Sequence, residues 1–150
     1  MNKILVVDLT NKTHHDQQID QDLVRDYIGG SGLAARLLYD KLTPATDPLG
    51  PDNPLLFLTG PMVGTSMPAA GRCSVSGLSP LTGLWGESNT GGFIGPEMRF
   101  AGYDGLLLQG AADSPVWISI IEGKVQIHPA EDLWGQDTYQ TQDSIREMLG

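Results

Sequence analysis

A single cysteine, Cys73, is all the thiol that this 150-residue sequence holds. That excludes a disulfide framework and a zinc quartet, and it leaves no way to bind an iron–sulfur cluster on four thiolates of this chain. Positive charge is also scarce, with 9 Lys and Arg against 18 Asp and Glu for a net charge of −9. Such an acidic balance repels phosphate backbones and anionic headgroups, so nucleic acid and membrane surfaces are not expected partners. Long apolar runs are missing too. Pro54 to Leu58 and Leu106 to Leu108 fall far short of the ~20 residues a membrane helix needs. The stretch Met1 to Asp8 meets an acid too early for the apolar core of a signal peptide, which makes the cytoplasm the expected location. Neither common nucleotide fingerprint occurs: there is no Walker Gly-Lys-Ser/Thr spacing and no Gly-x-Gly-x-x-Gly following a strand.

What remains has the size of one domain. Lys3 to Leu9 alternates apolar and polar residues, Asn11-Lys12 offers turn chemistry, and His14 to Ile19 alternates again, which predicts a hairpin. Asp20 is placed to cap a helix over Asp22 to Ile28 that Gly29-Gly30 would end, and a second helix is expected from about Ser31 to Leu42. Pro44, Pro48 and Pro51 make Thr43 to Asn53 a surface excursion. Strands are expected at Leu55 to Thr59, Asp104 to Gln109 and Val116 to Ile121. The last of these turns through Glu122-Gly123 into Lys124 to His128. Short helices are expected at Phe93 to Ala101 and, capped by Asp137 or Thr138, up to Leu149. Hairpins rather than single strands between long helices point to an α+β fold with mainly antiparallel sheets and helices outside. Strand, turn, strand and helix occur in that order twice, which is compatible with an internal duplication.

The stretch from Thr59 to Pro96 stands apart, because Arg72 and Glu87 are its only charged residues. Two glycine-rich constellations lie within it. The first is Gly60-Pro61, Gly64-Thr65-Ser66 and Gly71-Arg72. Glycine lets a ligand lie against bare amides, and a guanidinium offers a forked cation for phosphate. The same dipeptides are also common turn punctuation. The second runs Ser88-Asn89-Thr90-Gly91-Gly92 into Phe93, and reads as a polar loop opening a helix, where free N–H groups suit an anion. Asn89 adds a carbonyl oxygen of the kind that holds Mg²⁺. Ser88 and Asn89 acting only as helix caps is the competing reading. His14, His15 and His128 lack a third ligand at metal spacing. Cys73, which alternates with Val75, reads as a small buried hydrophobe, and Glu87, the one acid of the stretch, reads either as a supporting partner of the site residues or as a solvated loop residue.

Taken in order, Gly60-Pro61, Gly64-Thr65-Ser66, Gly71-Arg72, Ser79-Pro80-Leu81-Thr82-Gly83, Ser88-Asn89-Thr90-Gly91-Gly92-Phe93, Phe100-Ala101-Gly102-Tyr103-Asp104 and Leu133-Trp134-Gly135 resemble the aldehyde ferredoxin oxidoreductase N-terminal domain. The resemblance extends over essentially the whole chain, and ordered motifs are more specific than any one of them. It implies two stacked β-sheets flanked by helices, forming the base beneath a tungsten or molybdenum bis-pterin. It further implies that Arg72, Asn89 and Gly91, within a loop that includes Ser88 and Gly92, contact the pterin phosphates and a bridging magnesium. A 4Fe-4S cluster, the acid–base residues and a second phosphate loop would lie beyond position 150, making residues 1–150 a domain truncated at its C-terminal end. The whole protein would then oxidise aldehydes to carboxylic acids with ferredoxin as acceptor, and this chain alone would be inactive. A freestanding module that binds or delivers pterin is the alternative. The remainder of the enzyme is the expected partner, and an uncovered apolar face would favour homo-oligomers.

Overall fold

The computed structural model describes residues 2–150, which divide into two compact units meeting in sequence at Ala111 and Ala112. In the first unit, β1 (Lys3–Asp8) and β2 (Thr13–Gln18) form the expected hairpin. Its turn is organised by the Asp8 carboxylate, which accepts from Asn11 N at 3.0 Å and Asn11 Nδ2 at 2.8 Å. Helix α1 (Gln21–Tyr27) begins where Asp20 accepts from Asp22 N at 2.8 Å, and it stops at Ile28 with φ of 67°. Helix α2 (Gly30–Tyr39) follows directly. Then come β3 (Leu55–Thr59), β4 (Cys73–Leu78), β5 (Trp85–Thr90), α3 (Ile94–Phe100) and β6 (Gly105–Gln109).

These strands make one six-stranded sheet in the order β2-β1-β6-β3-β4-β5. All neighbours are antiparallel except β1 and β6, so the α+β, mainly antiparallel expectation holds. The register aligns Val6, Leu107 and Leu56 on one face, with Ile4 and Leu58 flanking Gly105. Leu33, Ala34 and Leu38 of α2 close over that face, and all of these residues are buried. Each fully buried aliphatic side chain of this kind contributes about 1.5–3 kcal/mol, so this helix-covered stripe carries much of the stability of the unit.

Two strands were not expected from the sequence. Cys73–Leu78 and Trp85–Thr90 pair antiparallel over their full length, although each contains a glycine and little β-branched character. They are strands because β4 finds β3 on one side and β5 on the other, a tertiary effect that local propensity does not report.

Polar contacts tie the first unit together at its edges. Asp16 pairs with Lys3 at 2.9 Å and accepts from the Tyr103 hydroxyl at 2.9 Å. The Lys3 bond first, and the Tyr103 bond next, hold Asp16 below the usual carboxylate range. A depressed folded-state value stabilises the fold above the unfolded value of about 3.9, and that contribution is lost as pH falls through the folded value. Asp16→Asn should therefore narrow the gap between the urea midpoints at about pH 6 and about pH 3, an effect limited by the exposure of the pair.

The second unit, Ala112–Gly150, holds β7 (Val116–Ile121), β8 (Lys124–Pro129) and α4 (Thr138–Leu149). β7 and β8 pair antiparallel through a turn with positive φ at Glu122 and Gly123. Asp137 and Gln140 form a reciprocal capping box at the start of α4, one of the two caps foreseen. Trp117 stacks on His128 with centroids 4.1 Å apart, and Ser119 Oγ lies 2.8 Å from His128 Nε2. Strand, turn, strand and helix thus follow each other in both units. Among the described residues no helix is long and apolar enough to cross a membrane.

Candidate functional site

Of the residues singled out in the neutral stretch, Arg72, Asn89, Gly91 and Gly92 gather at one end of the β4–β5 hairpin, whereas Gly60 and Pro61 line a separate cavity. Thr90 pairs with Cys73 as the last register step, so Arg72 and Gly91 flank it immediately beyond. Gly71 and Gly95 explain how the approach is achieved. A Cβ on Gly71 would lie 3.2 Å from Gly92 O, and one on Gly95 would lie 3.1 Å from Gly71 O and 3.2 Å from Val63 Cγ1. Both glycines are therefore needed for packing, and together they set Arg72 beside Gly91-Gly92 and the start of α3.

Gly91 and Gly92 are different. A Cβ at either would meet nothing within 4 Å. Gly92 needs its glycine for a φ of 78°, but Gly91 has neither positive φ nor crowding to account for it. Both are exposed, leaving bare backbone open to an approaching group.

Asn89 and Glu87 lie two positions apart on β5, the strand that ends the sheet, and so share a face. Asn89 Nδ2 donates to Glu87 Oε1 at 3.0 Å. Ser88 pairs with Val75 and belongs to the other face, so the structure does not bring its side chain alongside Asn89. The expectation that Ser88 and Asn89 open or cap a helix is corrected: both are strand residues. α3 begins later, with Phe93 at its N-cap and no side-chain cap bond.

The electrostatics of this rim are simple. Arg72 is exposed, and among the described residues none of the ion pairs includes it. Cys73, next to it, is only 1% exposed, and burial pushes its thiol above the ordinary value. It is the small buried hydrophobe expected, not an activated thiolate. His14 and His15 are exposed on β2, while His128 is occupied by Trp117 and Ser119. Among the described residues no three His, Cys, Asp or Glu side chains are grouped to hold a metal ion. Any cation at the rim would depend on neutral oxygens and on oxygens of its own ligand.

Glu87, which the sequence left between a partner of the site residues and a solvated loop residue, is an exposed strand residue bonded to Asn89. Its spacing of two from Asn89 would have been a signal had Trp85–Thr90 been read as a strand. A separate cavity of about 360 Å³ lies between α1, the end of β3 and the Arg99–Asp104 ion pair, with Val24, Leu33 and Leu58 in its wall. It contains none of the rim residues.

The fold and rim describe an α+β module in which the exposed, glycine-bordered end of the β4–β5 hairpin carries Arg72, an arginine with no ion-pair partner among the described residues. The family model for the aldehyde ferredoxin oxidoreductase N-terminal domain matches residues 4–150, and the chain belongs to that family. Similar proteins include the tungsten-containing aldehyde ferredoxin oxidoreductases of Pyrococcus abyssi, 37% identical over 99% of this chain, and Pyrococcus furiosus, 40% identical over 89%. The aliphatic sulfonate oxidoreductase WOR-like subunit of Pyrococcus furiosus is 36% identical over 89% of the chain. Among solved structures, the active-site complex BamBC of benzoyl-coenzyme A reductase with 1,5-dienoyl-CoA superposes with a TM-score of 0.96 at 34% identity, covering 99% of this chain and 23% of that one. The chain spans about a quarter of the length of these relatives, 24% and 22% for the two aldehyde oxidoreductases.

Proposed function

We propose that this chain is the cofactor-bearing N-terminal domain of a tungsten-dependent oxidoreductase, and that the rim formed by Arg72, Asn89, Gly91 and Gly92 holds the phosphate end of a bis-pterin. The observation that carries this reading is Gly91. It is a glycine that neither backbone conformation nor packing requires, in open space beside an arginine with no ionic partner among the described residues.

The residues fit such a group. Arg72 offers two parallel N–H donors to a phosphate. Gly91 and Gly92 let phosphate oxygens approach the main chain. Asn89, its amino group engaged by Glu87, has a carbonyl oxygen left for the hard cation that phosphates recruit. Ser88, on the other face, is the weakest of the candidate contacts. Bound here, the metallopterin supplies the two-electron chemistry, and the domain supplies position and charge neutralisation. With Cys73 buried and alone, a 4Fe-4S cluster belongs to the remainder of the protein, which is the principal partner.

Oxidation of an aldehyde to a carboxylic acid, with ferredoxin accepting the electrons, is the activity we propose for the whole protein. Relatives named for an aldehyde, a sulfonate and a coenzyme A thioester share this domain at 34–40% identity. That even similarity supports a domain whose residues follow the cofactor, with substrate choice made elsewhere in the chain.

In the full-length protein, Arg72→Ala should lower tungsten and pterin per polypeptide, since a charge-assisted bond of about 1.5–3 kcal/mol corresponds to roughly a 10- to 150-fold weaker hold. Asn89→Ala should act in the same direction, and less so once Arg72 is gone. Arg72→Lys should recover part of the occupancy, keeping the charge without the fork. Metal and pterin analysis, with circular dichroism as the folding control, checks this. Full occupancy in both alanine variants would remove the rim from the cofactor site.

A further inference from the structure

The β4–β5 hairpin carries the rim at one end and the loop 79–84 at the other. Five register steps separate the pair Cys73 and Thr90 from the pair Leu78 and Trp85, so the loop stands about 17 Å from the rim and forms no part of it. This tip is strongly apolar. Leu81 is 93% exposed, more than any other large hydrophobic side chain among the described residues, and Leu84 is 69% exposed. No charged residue occurs from Cys73 to Gly86. The tip is also firmly built. Ser79 N donates to Leu84 O at 2.8 Å, Gly83 N donates to Ser79 O at 2.8 Å, and Gly83 supplies the φ of 66° that closes the turn. Below it, the Asn53 side chain grips the main chain of Leu78, donating to Leu78 O at 3.0 Å and accepting from Leu78 N at 2.9 Å. A loop fixed in this way holds two leucines out in water, where they are least stable, and seating them against a partner would need no further ordering of the loop.

We infer that the tip is an anchor, with Leu81 and Leu84 seated in an apolar pocket on the part of the same polypeptide that follows residue 150. Three features favour that occupant. The chain spans 24% and 22% of the length of the two aldehyde oxidoreductases, so most of such a protein lies outside it. A tip without charge suits a permanent contact, because permanent interfaces resemble a core cut in half, whereas transient partners are steered and selected by charge. The tip meeting only its own copy would bury far less than the roughly 1,200 Å² that a stable interface requires. The inference rests on the reading of this chain as one domain of a longer oxidoreductase, and it is independent of what the rim binds.

Replacing Leu81 by a leucine-sized diazirine residue in the cofactor-loaded full-length protein, followed by irradiation and peptide mass analysis, tests this. The expected adduct joins position 81 to a peptide beyond position 150 of the same polypeptide, with unchanged mass on a denaturing gel. Leu81→Asp should raise the rate of limited proteolysis in the chain after residue 150 about tenfold, the low end of what burying a leucine side chain contributes. Leu81→Met, of similar volume, should stay within about threefold of wild type. Circular dichroism should be unchanged in both, since the side chain is exposed in this domain. An adduct between two copies, or with a separate polypeptide, would overturn the assigned occupant. Reaction with solvent or with this domain alone, or wild-type cleavage in Leu81→Asp, would overturn the anchor while leaving the cofactor reading intact. A natural polypeptide whose mass matches these 150 residues would overturn the longer-protein reading and the inference with it.

Discussion

Asp104→Ala should destabilise the first unit by about 3–5 kcal/mol, the cost typical of removing one partner from a buried ion pair. Asp104 pairs with Arg99, and their side chains are only 11% and 17% exposed. Burial pulls the Arg99 guanidinium below its ordinary value, so without the carboxylate its charge would be left poorly compensated. The same carboxylate accepts from Lys3 N at 3.0 Å at the start of β1. Its main chain accepts from Thr59 N at 2.9 Å and Thr59 Oγ1 at 2.8 Å at the end of β3, and donates to Lys3 O at 2.7 Å. One residue thus joins β1, β3 and α3 at the end of the sheet where Gly60 leads toward the rim. Urea unfolding followed by circular dichroism measures the loss. A change under about 1 kcal/mol would mean that water replaces the carboxylate at little cost.

Gly105→Ala should be comparably damaging, although it adds a single methyl. Gly105 sits between Ile4 and Leu58 in the middle of the sheet. An added Cβ would lie 2.5 Å from Phe57 O and 2.7 Å from Leu58 Cδ1, and 3.2 Å from Ile4 Cγ2. Leu58 could turn aside, but the Phe57 carbonyl is main chain held in the β3–β6 ladder. Relief therefore means parting two strands, and overpacking of this kind costs about 1–3 kcal/mol or more. The same unfolding measurement applies. Retention of the wild-type midpoint would show that the ladder has slack at this point.

The contrast between these sites and the rim explains what the sequence could disclose. The β1–β2 hairpin, the Asp20 cap, the bounds of β3, the Glu122-Gly123 turn and the Asp137 cap are local devices, written in residues a few positions apart. β4 and β5 are not local. Gly77 and Gly86 face each other in the register, and a Cβ at 77 would lie 3.0 Å from Pro54 O. Gly77 answers to crowding from the chain entering β3 and Gly86 to crowding from Ser79 and Gly77, so they look like loop punctuation until the neighbouring segments are seen. Arg72 and Asn89 drew attention in the sequence because a cation and a side-chain carbonyl are rare features in an otherwise neutral, glycine-rich stretch. Their arrangement on paired strands was not legible, because reading Ser88 to Gly92 as a loop hid that Asn89 and Glu87 share one face of a strand. The Arg99–Asp104 pair was equally hidden, since five residues of sequence separation give no sign of burial.

The central claim is that the Arg72–Asn89–Gly91 rim receives the phosphate end of a metallopterin, and a crystal structure of the cofactor-loaded full-length protein tests it most directly. We expect phosphate oxygens within about 3 Å of the Arg72 guanidinium and of main chain at Gly91 or Gly92. A cation should lie within about 2.0–2.2 Å of Asn89 Oδ1. A pterin whose phosphates are held wholly by other segments, with Arg72 in solvent and Asn89 bonded only to Glu87, would contradict the account.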